Sequence, residues 1–137
     1  MWFIIIKLKD FQMKWQIRVL YHSPSANKSE FLTYLKSTLE TYCEGCNNNI
    51  IIGDFNININ INTAYTAELI NIFSSMAMKQ LISFDIRVTE FSSTKIDLLY
   101  STSDQVKTKC LNSCHITDHQ TVEFSVPVEK ELRMRLQ

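Results

Sequence analysis

Glycine and proline are nearly missing from this chain: two of each in 137 residues. That excludes a collagen-like repeat and a Gly/Pro-rich low-complexity chain. Charge of one sign is missing too. Fourteen basic residues meet fourteen acidic ones, so the formal net charge is zero. No global basic excess announces a polyanion, and any nucleic-acid contact must rest on a local site. Long apolar runs are absent as well. WFIII at residues 2–6 falls far short of the ~20 residues that a membrane span needs. It has no basic leader or cleavage site, so no signal peptide is expected. The expectation is an intracellular protein without a membrane partner, its four cysteines reduced.

Enough apolar material remains for a core. The hydrophobic share is 45% and the charged share 20%, ordinary for a globular domain. The length predicts one domain over residues 1–128, followed by a charged tail, EKELRMRLQ, at 129–137. Residues 2–9 (WFIIIKLK) and 15–21 (WQIRVLY) read as two strands of a hairpin. Asn27 with Glu30 three residues later fits a capping box. Phe31, Leu35 and Leu39 then form an apolar stripe on a helix of about 28–42. Ile50 to Ile52 predict a strand apolar on both faces. NININ alternates like a strand, but its partner residues are all Asn, a turn former, so 53–62 is expected to be a loop. Leu69, Ile72, Phe73 and Met76 mark a second helix, about 64–78. Strands are expected at 95–101, 105–111 and 120–128. This order predicts an α/β fold, a mixed sheet with helices on one face.

The stretch NNNIIIGDFNIN, residues 47–58, carries the chemistry. A buried strand fixes whatever follows it, and ligands of α/β sheets bind at carboxyl ends of strands. Gly53 permits a sharp turn of the backbone. Asp54 and Asn56 then offer an acceptor and an amide that can orient a water and a phosphate oxygen. Asp97 is an acid inside apolar KIDLLY, and Asp118-His119 precede another apolar strand. A carboxylate beside an imidazole fixes its tautomer and favours its protonated form. Such a cation stabilises charge that develops on a breaking phosphodiester. Together Asp54, Asn56, Asp97, Asp118 and His119 could build a metal-assisted phosphodiesterase site. Taken singly, each has a plainer use: a turn at GDFN, a solvent-facing acid at Asp97, a turn cap at Asp118, a structural His119.

The order GDFN, then STKIDLLY, then TDH before a strand resembles the endonuclease/exonuclease/phosphatase superfamily. It is most similar to the apurinic-type endonuclease domain of non-LTR retrotransposons. VLYHSPSANKSEFLTYL resembles that family's Y-R-P-P-S segment and following helix. IRVTEFSSTKIDLLYST resembles its T-R-x-T…S-S-x-x-I-D stretch, and the similarity runs over residues 2–127. The resemblance implies two packed sheets flanked by helices, and Mg²⁺-dependent cleavage of DNA, with Mn²⁺ as a substitute. Action in the nucleus would follow. By motif position it implies that Tyr21 contacts the phosphate or holds neighbouring catalytic groups. Asp54 activates or orients the attacking water, and Asn56 holds that water or the phosphate. Asp97 pairs with His119, Asp118 helps hold the metal, and His119 contacts the scissile phosphate.

The chain also departs from the pattern. The family places a metal-ligand Glu and a substrate-side Asn before the tyrosine segment. Neither residue type occurs in the first twenty positions here, and Asp10 is their only acid. The expectation is therefore a domain whose N-terminal part is missing, weakly active or inactive, with an apolar sheet face left bare. His22 stands where the family has Arg, Ser23 where it has the first Pro, and Asp85-Ile86 replace a Pro-Thr pair.

Three rival readings remain. Cys43 and Cys46, with Cys110, Cys114 and His115, could hold a structural zinc, which the missing knuckle glycines make the weaker reading. A phosphatase or exonuclease of the same superfamily shares the motifs. A non-catalytic binding role is open to a decayed copy. Oligomeric state is not legible.

Overall fold

The computed structural model describes residues 1–9, 14–42, 48–83, 87–88, 93–94, 96–111 and 121–127. β1 (Trp2–Lys9) and β2 (Lys14–Tyr21) form the expected antiparallel hairpin. α1 (Lys28–Tyr42) then crosses back, so that β3 (Asn48–Asp54) lies parallel to β2. The start of α1 follows from its cap, since the Glu30 amide donates to Asn27 Oδ1 at 3.1 Å. α2 (Ala64–Ser75) opens the same way, its Thr66 amide donating to Thr63 Oγ1 at 3.1 Å. Short pieces follow: β4 (Lys79–Gln80), and β5 (Arg87–Val88) paired with β6 (Ser93–Thr94). β7 (Asp97–Ser101) returns to the main sheet, and β8 (Lys107–Leu111) pairs with β9 (Thr121–Ser125).

The main sheet is mixed, in the order β1-β2-β3-β7-β4. Its two faces are covered differently. On one, Leu20, Ile51, Leu98 and Tyr100 pack under both helices, against Phe31, Leu35, Leu39, Leu69 and Phe73. This is the expected single helical face. On the other, Trp15, Ile17, Ile50 and Leu99 pack with Val106 and with Val122 and Phe124 of β9. The β8–β9 ribbon thus covers the centre of this second face.

The margin of the second face is bare among the described residues. Leu8 pairs with Trp15 and Ile6 with Ile17, so β1 turns Trp2, Ile4, Ile6 and Leu8 to that side. They are 54%, 55%, 43% and 43% exposed. A sheet edge with so much apolar surface is an invitation to association.

Two expectations need correction. Gly53 and Asp54 belong to β3 rather than to a loop. Gly53 makes no sharp turn; it has φ 156° inside the strand, where a Cβ would lie 1.9 Å from the Leu20 carbonyl oxygen. The glycine is there because β2 comes too close for a side chain. Beyond Asp54 the loop reading holds. The Asn60 amide donates to Asn58 Oδ1 at 3.1 Å, while Ile57 is buried.

Candidate functional site

The strand pairings bring three of the sequence-predicted residues into one row. Tyr21 is the register partner of Asp54 across β2 and β3. Asp54 is the register partner of Asp97 across β3 and β7. Residues paired in this way point to the same side of a sheet. All three share the face of Ile17, Ile50 and Leu99, at the rim where β2 and β3 end and β7 begins. The row continues onto β1, where Trp2 pairs with Tyr21 and stacks on it at 5.8 Å between ring centres. Tyr21, Asp54 and Asp97 are each half-buried. The rim lies at the carboxyl ends of two parallel strands, where α/β folds bind ligands.

Asn56 is two residues beyond this row. Its backbone adopts φ 47°, a left-handed conformation that Asn tolerates. The Asn56 amide donates to Asp54 Oδ1 at 2.9 Å. One carboxylate oxygen of Asp54 is thereby fixed, and the other keeps its acceptor capacity. Asn56 Nδ2 donates to the His22 carbonyl oxygen at 2.6 Å. That bond decides the amide's orientation, because a carbonyl accepts and never donates. Asn56 Oδ1 and its second N–H are left to face other groups.

The sequence marks His22 only as a departure from a motif, yet it is tied closely to this turn. It is fully buried, and its Nδ1 lies 2.9 Å from the Phe55 carbonyl oxygen. No periodicity or motif signals this; the one hint was a polar residue directly after an apolar strand. Asp118 and His119 lie outside the described residues, as do Asp10, Cys43, Cys46, Cys114 and His115. Cys110 is half-buried on β8.

A groove of about 500 Å³ opens beside Asn56, lined by Lys28, Ile57, Tyr65, Thr66 and Ile96 among others. The Lys28 ammonium sits 5.7 Å from the centre of the Tyr65 ring. One cation and one exposed aromatic therefore line the groove that reaches Asn56, a pairing that nucleic-acid strands engage by charge and stacking.

The rim's described donors are oxygens and one amide: Asp54, Asn56, Asp97 and Tyr21. Such a set suits a hydrated Mg²⁺, which takes one or two carboxylates plus waters and phosphate oxygens. Among the described residues no three His, Cys, Asp or Glu gather into a group that would cage a metal by themselves. No helix among them is long and apolar enough to cross a membrane.

No protein-family model matches the sequence, and no curated protein matches it. Solved structures do. The endonuclease domain of TRAS1, a telomere-specific non-LTR retrotransposon, superposes with a TM-score of 0.73 at 14% identity, over 93% of this chain and 64% of that one. An endonuclease/exonuclease/phosphatase family protein from Leptotrichia buccalis gives 0.69 at 12% identity, over 92% and 54%. A mannosyl-6-phosphatase from Bacteroides thetaiotaomicron gives 0.51 at 15%, over 90% and 56%. The chain spans less than two thirds of the length of each. Its fold is that of the endonuclease/exonuclease/phosphatase superfamily.

Proposed function

We propose that this chain, built on the endonuclease/exonuclease/phosphatase fold, is a portion of a metal-dependent endonuclease acting on DNA. It carries the groups that position the attacking water, and by itself it cleaves weakly or not at all. The observation that carries the reading is the register row of Tyr21, Asp54 and Asp97, with Asn56 bonded to the Asp54 carboxylate. The likeness to a retrotransposon endonuclease domain supports DNA as the substrate.

In this reading the free oxygen of Asp54 accepts a proton from a water and turns its lone pair toward phosphorus. The water oxygen bonds to phosphorus while the bond to the leaving sugar oxygen breaks. That oxygen takes a proton from solvent, and Asp54 returns its own proton to solvent, so one product ends in a phosphate monoester and the other in a hydroxyl. Asn56 uses Oδ1 or its second N–H to hold the water or the phosphate. Tyr21 steadies the phosphate from the neighbouring strand. Asp97 orients His119, whose imidazole stabilises the charge on the phosphate. Asp118, by resemblance, helps hold Mg²⁺ or Mn²⁺; the metal would supply charge neutralisation at the phosphate. The resemblance places a metal-ligand Glu and a substrate-side Asn ahead of the tyrosine segment, and residues 1–20 supply neither, so these 137 residues by themselves should cleave weakly.

Two assays test this. A fluorescent duplex should bind the chain in Mg²⁺, and Asn56→Ala should weaken that binding several-fold. Supercoiled plasmid should be nicked slowly or not at all. Failure to bind duplex DNA would sink the DNA assignment. Robust nicking abolished by Asp54→Ala would sink the claim of weak activity.

The phosphatase relative favours a second reading, hydrolysis of a small phosphomonoester at the same rim. Turnover of p-nitrophenyl phosphate that depends on Asp54, without DNA binding, would select it.

A further inference from the structure

We infer that His22 is a positioning residue of this site: its imidazole holds the Asp54–Asn56 turn in the shape that presents Asp54 and Asn56. The inference deepens the proposed function and rests on that reading for its consequence in DNA binding. Its structural half stands apart from it.

Every bonded polar group of His22 reaches the turn. Its backbone amide donates to the Asp54 carbonyl oxygen at 2.9 Å. Its ring Nδ1 donates to the Phe55 carbonyl oxygen at 2.9 Å. Its own carbonyl accepts from Asn56 Nδ2 at 2.6 Å. Three successive residues of the turn are thus held by one residue of the neighbouring segment. Two of these bonds use the backbone of residue 22 and would form with other side chains. The third needs a side-chain donor. The Phe55 amide is bound elsewhere, donating to the Ile96 carbonyl at 2.9 Å. The peptide plane between Phe55 and Asn56 is therefore anchored on its carbonyl side by the imidazole, directly before the left-handed backbone of Asn56.

The second nitrogen of the ring makes the case sharper. A carbonyl only accepts, so Nδ1 carries the proton. Nε2 is buried and, among the described residues, has no hydrogen-bond partner. An imidazole that leaves one nitrogen unpaired in the interior costs stability that a phenyl ring would not. The ring also stacks on Phe31, centres 4.1 Å apart and planes 18° from parallel. A phenyl ring would serve that contact as well. What only the imidazole adds is the Nδ1 donor, and the donor goes to the turn that bears the site.

The test compares His22→Asn, His22→Gln and His22→Phe. An Asn amide nitrogen sits close to where Nδ1 does, and a Gln nitrogen one bond further out. Amide exchange by NMR reads the turn directly, and affinity for a fluorescent duplex reads the site. With Asn, the Asn56 side-chain and backbone amides should keep wild-type protection and duplex affinity should stay within twofold. With Gln or Phe, protection at Asn56 should fall at least tenfold more than at Ile50 or Leu99, and duplex affinity should drop several-fold. If the Phe variant does not fold, the Asn and Gln pair decides the matter alone. Equal exchange at Asn56 in the Asn and Gln variants would overturn the inference. So would a loss of protection spread evenly over the sheet, because that marks a packing role. If the wild-type chain binds no duplex, the DNA reading fails and the exchange comparison still decides the role of His22.

Discussion

Asp54 and Asp97 face each other across the antiparallel ladder of β3 and β7. Their side chains leave the sheet on the same side, and both are half-buried. Like charges set directly opposite each other weaken a sheet. Asp54→Asn keeps an oxygen for the Asn56 amide and removes the charge. It should stabilise the fold by about 0.3–1 kcal/mol, a rise of a few degrees in Tm. Any nicking should disappear. Calorimetry and the plasmid assay on the same variant check both halves.

Gly53→Ala should do the reverse. The new Cβ would meet the backbone oxygen of Leu20 at 1.9 Å, with no flexible side chain to give way. The cost should be about 2–4 kcal/mol. Urea denaturation of the two proteins measures it. Since Gly53 precedes Asp54, the site should be disturbed together with the fold.

These two residues show what was legible beforehand. The apolar run Ile50–Ile52 and the polar GDFN after it announced a buried strand feeding a rim. The cap at Asn27 and the stripe Phe31, Leu35, Leu39 placed α1 within its observed bounds. The role of Gly53 is not legible locally, because the proximity of Leu20 belongs to the packing of two strands and not to local sequence. Strand β3 also starts earlier than expected, at Asn48. Pairing with β2, and the 2.9 Å bond from the Asn49 amide to Thr102 Oγ1, override the turn preference of Asn. The two-residue strands β4, β5 and β6 are too short to carry a period. His22 stayed hidden because a side chain bonding to a carbonyl 33 positions away leaves no pattern in the letters.

Alkaline pH should expose the packing of Tyr100. Burial against the helices pushes its phenol up to about 12, from the ordinary 10.0. Below pH 10 the folded and unfolded chains both keep this proton, and the fold retains its full stability. Between pH 10 and 12 only the unfolded chain releases it. Stability should then fall by ~1.4 kcal/mol per pH unit from this group, roughly 2–3 kcal/mol in all. Tyr100→Phe should remove that part of the slope in denaturation curves recorded from pH 9 to 12.

Lys28, over the Tyr65 ring in the groove beside Asn56, should add a phosphate contact. Lys28→Ala should weaken duplex binding and reduce the slope of log K against log salt by ~1. Anisotropy titrations at several salt concentrations read both. Unchanged affinity would remove the groove from the DNA path.

The margin of β1, bare among the described residues, predicts self-association. Ile4→Lys with Ile6→Lys replaces two exposed apolar side chains of one sheet face by charges. Sedimentation should show large species for the parent chain and a shift toward monomer for the variant, with Tm little changed.

In the proposed reading Asp97, at the rim of Tyr21 and Asp54, orients His119. A double-mutant cycle on Asp97 and His119, read as duplex affinity and as unfolding free energy, tests it most directly. Coupling of at least ~1 kcal/mol, outside the scatter of independent sites, is predicted. Strict additivity of Asp97→Ala and His119→Ala in both measurements would contradict it.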